Sequence, residues 1–225
     1  MNEARRFVWI LLGLFTVLCA VLFWNFAFQW TSFFPSGTKP PTIVETSKPT
    51  RPTLRATDPA RGSTDPDAIL IVEFADFTCQ YCRAVEPEIE TVIRENVSTV
   101  RHIWRDLPVV TDRPDAMVAA SAGRCAMDQG RFWDMHAQLI SYQGSFDLDT
   151  VERLARSAGL DGESFRACVT NGRHIAQIQQ DIDEARGNNI QGAPTFFIGN
   201  EVLSGYVTAA DLRWAILKAR LSGLK

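Results

Sequence analysis

Cys79-Gln80-Tyr81-Cys82 is the segment of this 225-residue chain best equipped for chemistry. It follows the β-type run Ala68 to Ala75 and opens a helix-type run, and a thiol pair so placed can exchange a disulfide with another protein. Unpaired N–H groups and partial positive charge at a helix N-terminus favour thiolate over thiol, which makes Cys79 the nucleophile. Cys82 lies one turn further in, within reach of a mixed disulfide on Cys79. Half a zinc site or a structural disulfide uses the same spacing. Structural zinc draws four ligands, however, and Cys19, Cys125, Cys168, His102, His136 and His174 show no second pair at ligand spacing. No metal or other cofactor is expected, and the histidines read as surface or satisfied core residues.

The elements that must position these thiols follow from periodicity. Ile69 to Phe74 (ILIVEF) reads as a strand buried on both faces. Its one ionisable residue, Glu73, faces either the underside of the thiol pair or the strand's solvent edge. Val85, Ile89, Val92 and Ile93 share a face of the next helix, with Pro87 inside it as a source of bending. Thr99 to Trp104 reads as a second strand. Helices only are expected from about 114 to 188, punctuated by Gly130, Gly144, Gly159 and Gly172. Two short strands, Thr195 to Ile198 and Val202 to Tyr206, flank a Gly199-Asn200 turn, and an amphipathic helix, Asp211 to Ala219, closes the chain. This order implies an α/β core carrying an inserted all-helical domain.

Upstream, residues 1–6 read as a cytoplasmic stub bearing Arg5 and Arg6, and Phe7 to Trp30 is an uncharged run long enough to span a bilayer, for which about 20 residues suffice. A cleaved signal peptide is the rival reading, disfavoured by the length of the run and the bulky residues after it. The basic flank places the N-terminus in the cytoplasm and the rest outside, where disulfides form. Residues 31–67, rich in Pro, Thr and Ser from Pro35 onward, read as an extended tether, leaving 68–225 as one domain. A formal net charge of −3 gives no case for nucleic acid.

EFADFTCQYC, the helix proline Pro87, CAMDQGRFWDMHAQL and GAPTFFIGNEVLSGY together resemble the DsbA-like thiol-disulfide oxidoreductases of the thioredoxin superfamily, over most of Ile69 to Leu221. The resemblance implies a thioredoxin fold with a helical insertion, preceded by one transmembrane helix and a Pro-rich linker. It makes Cys79 the exposed nucleophile, Cys82 the buried resolving thiol and Glu73 the buried acid that exchanges a proton with Cys82. It makes Pro194 a cis-proline facing the thiols, with Ala193, Gln80 and Tyr81 around the substrate. On residue pattern alone, a trans proline that begins a strand is the commoner case. Cys125 and Cys168 are either a second, structural disulfide, as in some members with such an insertion, or two separately buried thiols. Some of Phe77, Tyr81 and Trp104 are expected as an apolar rim for unfolded substrates.

Two departures stand out. Gln80-Tyr81 replaces the Pro-His of the strongly oxidising type, which removes one source of thiolate stabilisation, and Ala193 replaces a Val or Thr. A less oxidising couple is expected. The implied activity is disulfide donation to unfolded, reduced exported proteins from a single-pass protein of the bacterial inner membrane, with reoxidation by a DsbB- or VKOR-type membrane enzyme. A reductase serving cytochrome c maturation or a copper site, and a non-catalytic peptide-binding chaperone, are the alternatives.

Overall fold

The computed structural model describes residues 51–109 and 113–223. The expected stub, the apolar run 7–30 and the tether as far as residue 50 lie outside the described residues. Among the described residues no helix is long and apolar enough to cross a membrane.

The strands are β1 (Ala60–Gly62), β2 (Ile69–Ala75), β3 (Val100–Asp106), β4 (Thr195–Ile198) and β5 (Glu201–Ser204). They form one sheet in the order β1-β3-β2-β4-β5, with β2 and β3 parallel and every other pair antiparallel. Helix α1 (Gln80–Glu95) makes the crossover that the parallel pair requires. Five helices separate β3 from β4: α2 (Ala116–Met127), α3 (Phe132–Ser141), α4 (Leu148–Ser157), α5 (Gly162–Thr170) and α6 (Ile175–Gly187). After the β4–β5 hairpin, α7 (Ala209–Leu221) ends the described chain. The hairpin turns at Gly199, whose φ of +59° supplies the positive value a two-residue II′ turn needs at its first position.

Alternation along β2 divides the core. Ile69 and Ile71 pack with Val85, Ile89 and Val92 of α1 and with Leu212 and Ile216 of α7 on one face. Val72 and Phe74 turn to the other, against Ile103, Phe197 and Ala185 of α6. The helical block has its own core, which runs through Met135, Leu139 and Phe165 and reaches Cys82, Phe77 and Trp104 at its junction with the sheet. Phe77 and Trp104 are each only 1 % exposed and stack with ring centres 4.6 Å apart, so both are core and neither forms a substrate rim. Tyr81, 54 % exposed, is the one of the three at the surface.

The folded body begins well before residue 68. Arg55 pairs with Asp181 and Glu184 of α6, Asp58 forms an ion pair with Arg105 at 2.8 Å, and Arg61 lies in β1 beside His102. Pro, Thr and Ser composition marks this segment as tether because it has few apolar residues. What holds it is charge pairing and a three-residue strand. Cys125 and Cys168 are disulfide-bonded, tying α2 to α5.

Candidate active site

The turn between β2 and α1 sets the first thiol. Asp76 accepts from the N–H and the hydroxyl of Thr78, at 2.7 and 2.8 Å, and from the Val109 N–H at 2.8 Å. This Asx-type turn delivers Cys79 as the N-cap of α1 in extended conformation. A cysteine here uses sulfur as the capping acceptor: the Cys82 N–H donates to Cys79 Sγ at 3.3 Å. Cys79 is partly exposed, Gln80 and Tyr81 are exposed and Cys82 is buried; both cysteines are free thiols.

The two thiols are pushed in opposite directions. Hydrogen bonding from the Cys82 thiol, with help from the N–H groups of Cys82 and Tyr81 and against the cost of burial, lowers Cys79 from 9.0 to about 7. Burial drives Cys82 well above the ordinary thiol value, and the neighbouring Cys79 and Glu73 add to it. One sulfur is therefore an ionisable, reachable nucleophile and the other a protonated reserve.

Across from the thiols, the Ala193–Pro194 bond is cis, and the Ala193 carbonyl lies 3.5 Å from Cys79 Sγ, where the protonated thiol donates to it. Pro194 is buried and its carbonyl accepts from the Gly205 N–H at 2.8 Å, fixing the loop against the end of β5. A groove of about 410 Å³ runs from Tyr81 past Ala193 to Ile190, Phe197, Val202 and Gly205.

Beneath the thiols is a buried polar cluster. Glu73 is 1 % exposed, and its Oε2 accepts from His102 Nε2 at 2.8 Å. Burial raises the Glu73 carboxyl well above its ordinary range, with Glu86 adding to the effect and Arg61 opposing it. Burial likewise holds His102 well below the usual imidazole value, and Arg61 and His136 reinforce it. The contact is thus a hydrogen bond between neutral groups, and not an ion pair. Glu73 is turned inward, which settles its orientation against the solvent edge.

Sequence reasoning missed Arg61, His102 and Asp76. Arg61 lay in the segment read as tether, and His102 was one of three scattered histidines. A signal did exist for His102: once β2 and β3 are parallel neighbours, Ile71 pairs with His102 and Glu73 with Trp104, which puts an acid and an imidazole on one buried face. Asp76 with Thr78 two residues on is a recognisable turn pair. His174 and Asp128 lie near the Cys125–Cys168 bond, where His174 Nε2 is 3.1 Å from Asp128 Oδ1.

Residues 55–218 match the Thioredoxin_4 family, described as thioredoxin. The chain belongs to the thioredoxin family. Among solved structures, a thioredoxin-like oxidoreductase from Silicibacter pomeroyi aligns with this family member at a TM-score of 0.67 and 28 % identity, covering 74 % of this chain and 94 % of that one. The thiol-disulfide exchange protein alpha-DsbA2 from Wolbachia pipientis (TM-score 0.63, 22 % identity, 72 % and 87 % covered) and oxidised BdbD from Bacillus subtilis (0.63, 20 %, 72 % and 92 %) share the fold. Curated relatives carry another name. Na(+)/H(+) antiporter NhaA 3 of Salinispora tropica is 34 % identical over 151 residues, 67 % of this chain and 23 % of the antiporter. NhaA 1 of Mycolicibacterium vanbaalenii is 28 % identical over 197 residues, 87 % and 32 %. The thioredoxin-family chain spans about a quarter to a third of these relatives.

Proposed function

We propose that this chain is a thiol:disulfide oxidoreductase that passes a disulfide from Cys79–Cys82 to reduced, unfolded exported proteins. The observation that carries the reading is Cys79 Sγ at the mouth of α1, held by the Cys82 N–H and facing the Ala193 carbonyl at the end of an open groove. A client thiolate attacks Cys79 of the oxidised pair, the Cys79–Cys82 bond breaks, and Cys82 leaves as a thiolate that takes a proton from Glu73. A second client thiolate attacks the client sulfur of the mixed disulfide, forms the client's disulfide and expels Cys79 as thiolate. The client loses two electrons and two protons and the pair gains the two electrons; one client proton restores the Glu73 carboxyl and the other goes to solvent. The catalytic residues are Cys79, Cys82 and Glu73, and the client rests on Gln80, Tyr81, Ala193 and Pro194.

Reoxidation by a DsbB- or VKOR-type membrane enzyme, and residence outside the cytoplasmic membrane on the apolar run 7–30, complete the proposal. A second reading, reduction of client disulfides, is favoured by one observation: a Cys79 value of about 7 resembles that of thioredoxin, about 7, more than that of DsbA, about 3.5. The ion transport named for the curated relatives is not proposed for this chain. The full chain should oxidise a reduced, unfolded protein stoichiometrically, and a Cys79→Ser variant that still did so would overturn the assignment. Equilibration against glutathione separates donor from reductase.

A further inference from the structure

His102 meets Arg61 at its other nitrogen. Arg61 Nε donates to His102 Nδ1 at 3.0 Å, and a guanidinium has only protons to offer, so Nδ1 is held as an acceptor and the ring proton sits on Nε2. That proton is the one Glu73 Oε2 receives. Arg61 is itself fixed from several sides. Glu86 Oε1 accepts from it at 3.1 Å, Glu90 accepts from its other terminal nitrogen, and its guanidinium lies 4.1 Å over the Trp133 ring. Trp133 in turn donates to the Ala60 carbonyl of β1 at 3.0 Å.

We propose that Arg61 and His102 are positioning residues for thiol exchange: Arg61 locks His102 in the neutral Nε2–H form, which fixes Glu73 through Oε2 and leaves Oε1 as the atom that trades a proton with Cys82. The inference rests on the oxidoreductase reading above. Glu73 Oε1 is buried and has no hydrogen-bond partner among the described residues, so it is not committed to another group. His102 cannot accept a second proton without losing Arg61, and Arg61 does not release one. The cluster is therefore a fixed support and not a wire to the surface. The charged and titratable groups around the pair are Arg61 from β1, Glu86 and Glu90 from α1, His136 from α3, and the two thiols. His136 Nε2 is 3.8 Å from Glu86 Oε2, and burial holds His136 below the usual imidazole range.

The test is nitrogen NMR of the reduced full chain labelled with ¹⁵N-histidine. His102 should show a protonated Nε2 and a bare Nδ1, unchanged between about pH 5 and pH 9, because burial and Arg61 both oppose a second proton. An Nδ1–H form, or a titration of His102 in that range, would overturn the proposal without the use of any variant. Function is read from the pH dependence of mixed-disulfide release by Cys82. His102→Leu should slow release about tenfold at neutral pH and move the Glu73-dependent midpoint upward by about one unit, the loss of one hydrogen bond to a carboxylate. His102→Gln, whose amide N–H can reach Glu73 and whose carbonyl can accept from Arg61, should restore both to within about twofold. A role in packing alone would lower the melting temperature and leave the midpoint where it was, which would also refute the inference. A chain with the expected tautomer that exchanges no disulfide would instead sink the oxidoreductase reading.

Discussion

Cys79 should titrate near pH 7, and Cys82 should be the reason. At pH 7 a thiol with that value is about half ionised, against about one per cent for one at 9.0, roughly a fiftyfold gain in thiolate. Lower basicity offsets about eightfold of this, because nucleophilicity follows pKa with a slope of about 0.4–0.5, and a net rate advantage of about sixfold remains. The perturbation is Cys82→Ala, which removes the thiol donor but keeps the backbone N–H at residue 82. Hydrogen bonds to charged acceptors contribute about 1.5–3 kcal/mol, and S–H is a weak donor, so the midpoint should rise by about one unit. The assay is the rate of alkylation by iodoacetamide across about pH 5.5 to 9.5 on the full chain, the range that brackets both values. A wild-type midpoint at or above about 8.5 refutes the reasoning. A variant midpoint still near 7 refutes the role of the Cys82 thiol.

The same shift bears on the direction of exchange. Because the folded value is depressed, Cys79 stabilises the reduced fold fully above about pH 9 and loses that contribution as the pH falls through about 7. At pH 7 about 0.4 kcal/mol is left, an upper figure for a part-exposed, solvent-screened thiol, equivalent to about 9 mV. A value of about 3.5 would contribute about 4.8 kcal/mol by the same arithmetic. On these figures thiolate stabilisation at Cys79 would add little oxidising power to the couple, the direction expected from Gln80-Tyr81 between the cysteines.

Three other outcomes follow from the packing. Asp181→Ala removes the acceptor shared by Arg105 at 3.1 Å, Arg124 at 2.5 Å and the Asp106 N–H, leaving buried guanidinium groups short of countercharge; denaturant unfolding should show a loss of about 3–5 kcal/mol. Replacing Cys125 and Cys168 by serine opens a cross-link between positions 43 apart in sequence and should lower stability by about 4 kcal/mol on the chain-entropy account, with no change in the Cys79 alkylation midpoint. Gly62→Ala puts a Cβ 2.5 Å from the Val100 carbonyl oxygen at a φ of +89°; a loss of about 1–3 kcal/mol is expected in thermal unfolding, with β1 loosened and amide exchange at Arg61 accelerated.

How much of this was legible in the sequence depended on whether the signal was local. The apolar run ILIVEF, the glycine punctuation of the helical block and the Gly199-Asn200 turn all encode backbone geometry within a few residues, and the strands and helices they imply lie within a few positions of those observed. The N-cap role of Cys79 follows from the same local logic. What composition hid was the attachment of residues 51–67: Arg55, Asp58 and Arg61 find partners 25 to 129 positions away, and no window along the chain reveals them. The Glu73–His102 contact needed the register of two strands, which no single segment fixes. Phe77 misled for a related reason, since closeness to the thiols in sequence does not say on which side of the sheet–helix junction a ring will fall, and Trp104 of β3 stacks on it in the same core.

The order β1-β3-β2-β4-β5 leaves a three-residue strand at one border of the sheet and a four-residue strand at the other. Unfolded clients carry unsatisfied amides that zip readily onto long, flat borders, a route to aggregation. Borders this short offer little template, and Glu201 with Lys218, 3.0 Å away, puts charge along the second one. On the proposed function, margins this unattractive would leave a client's residence time to the covalent bond made and broken at Cys79.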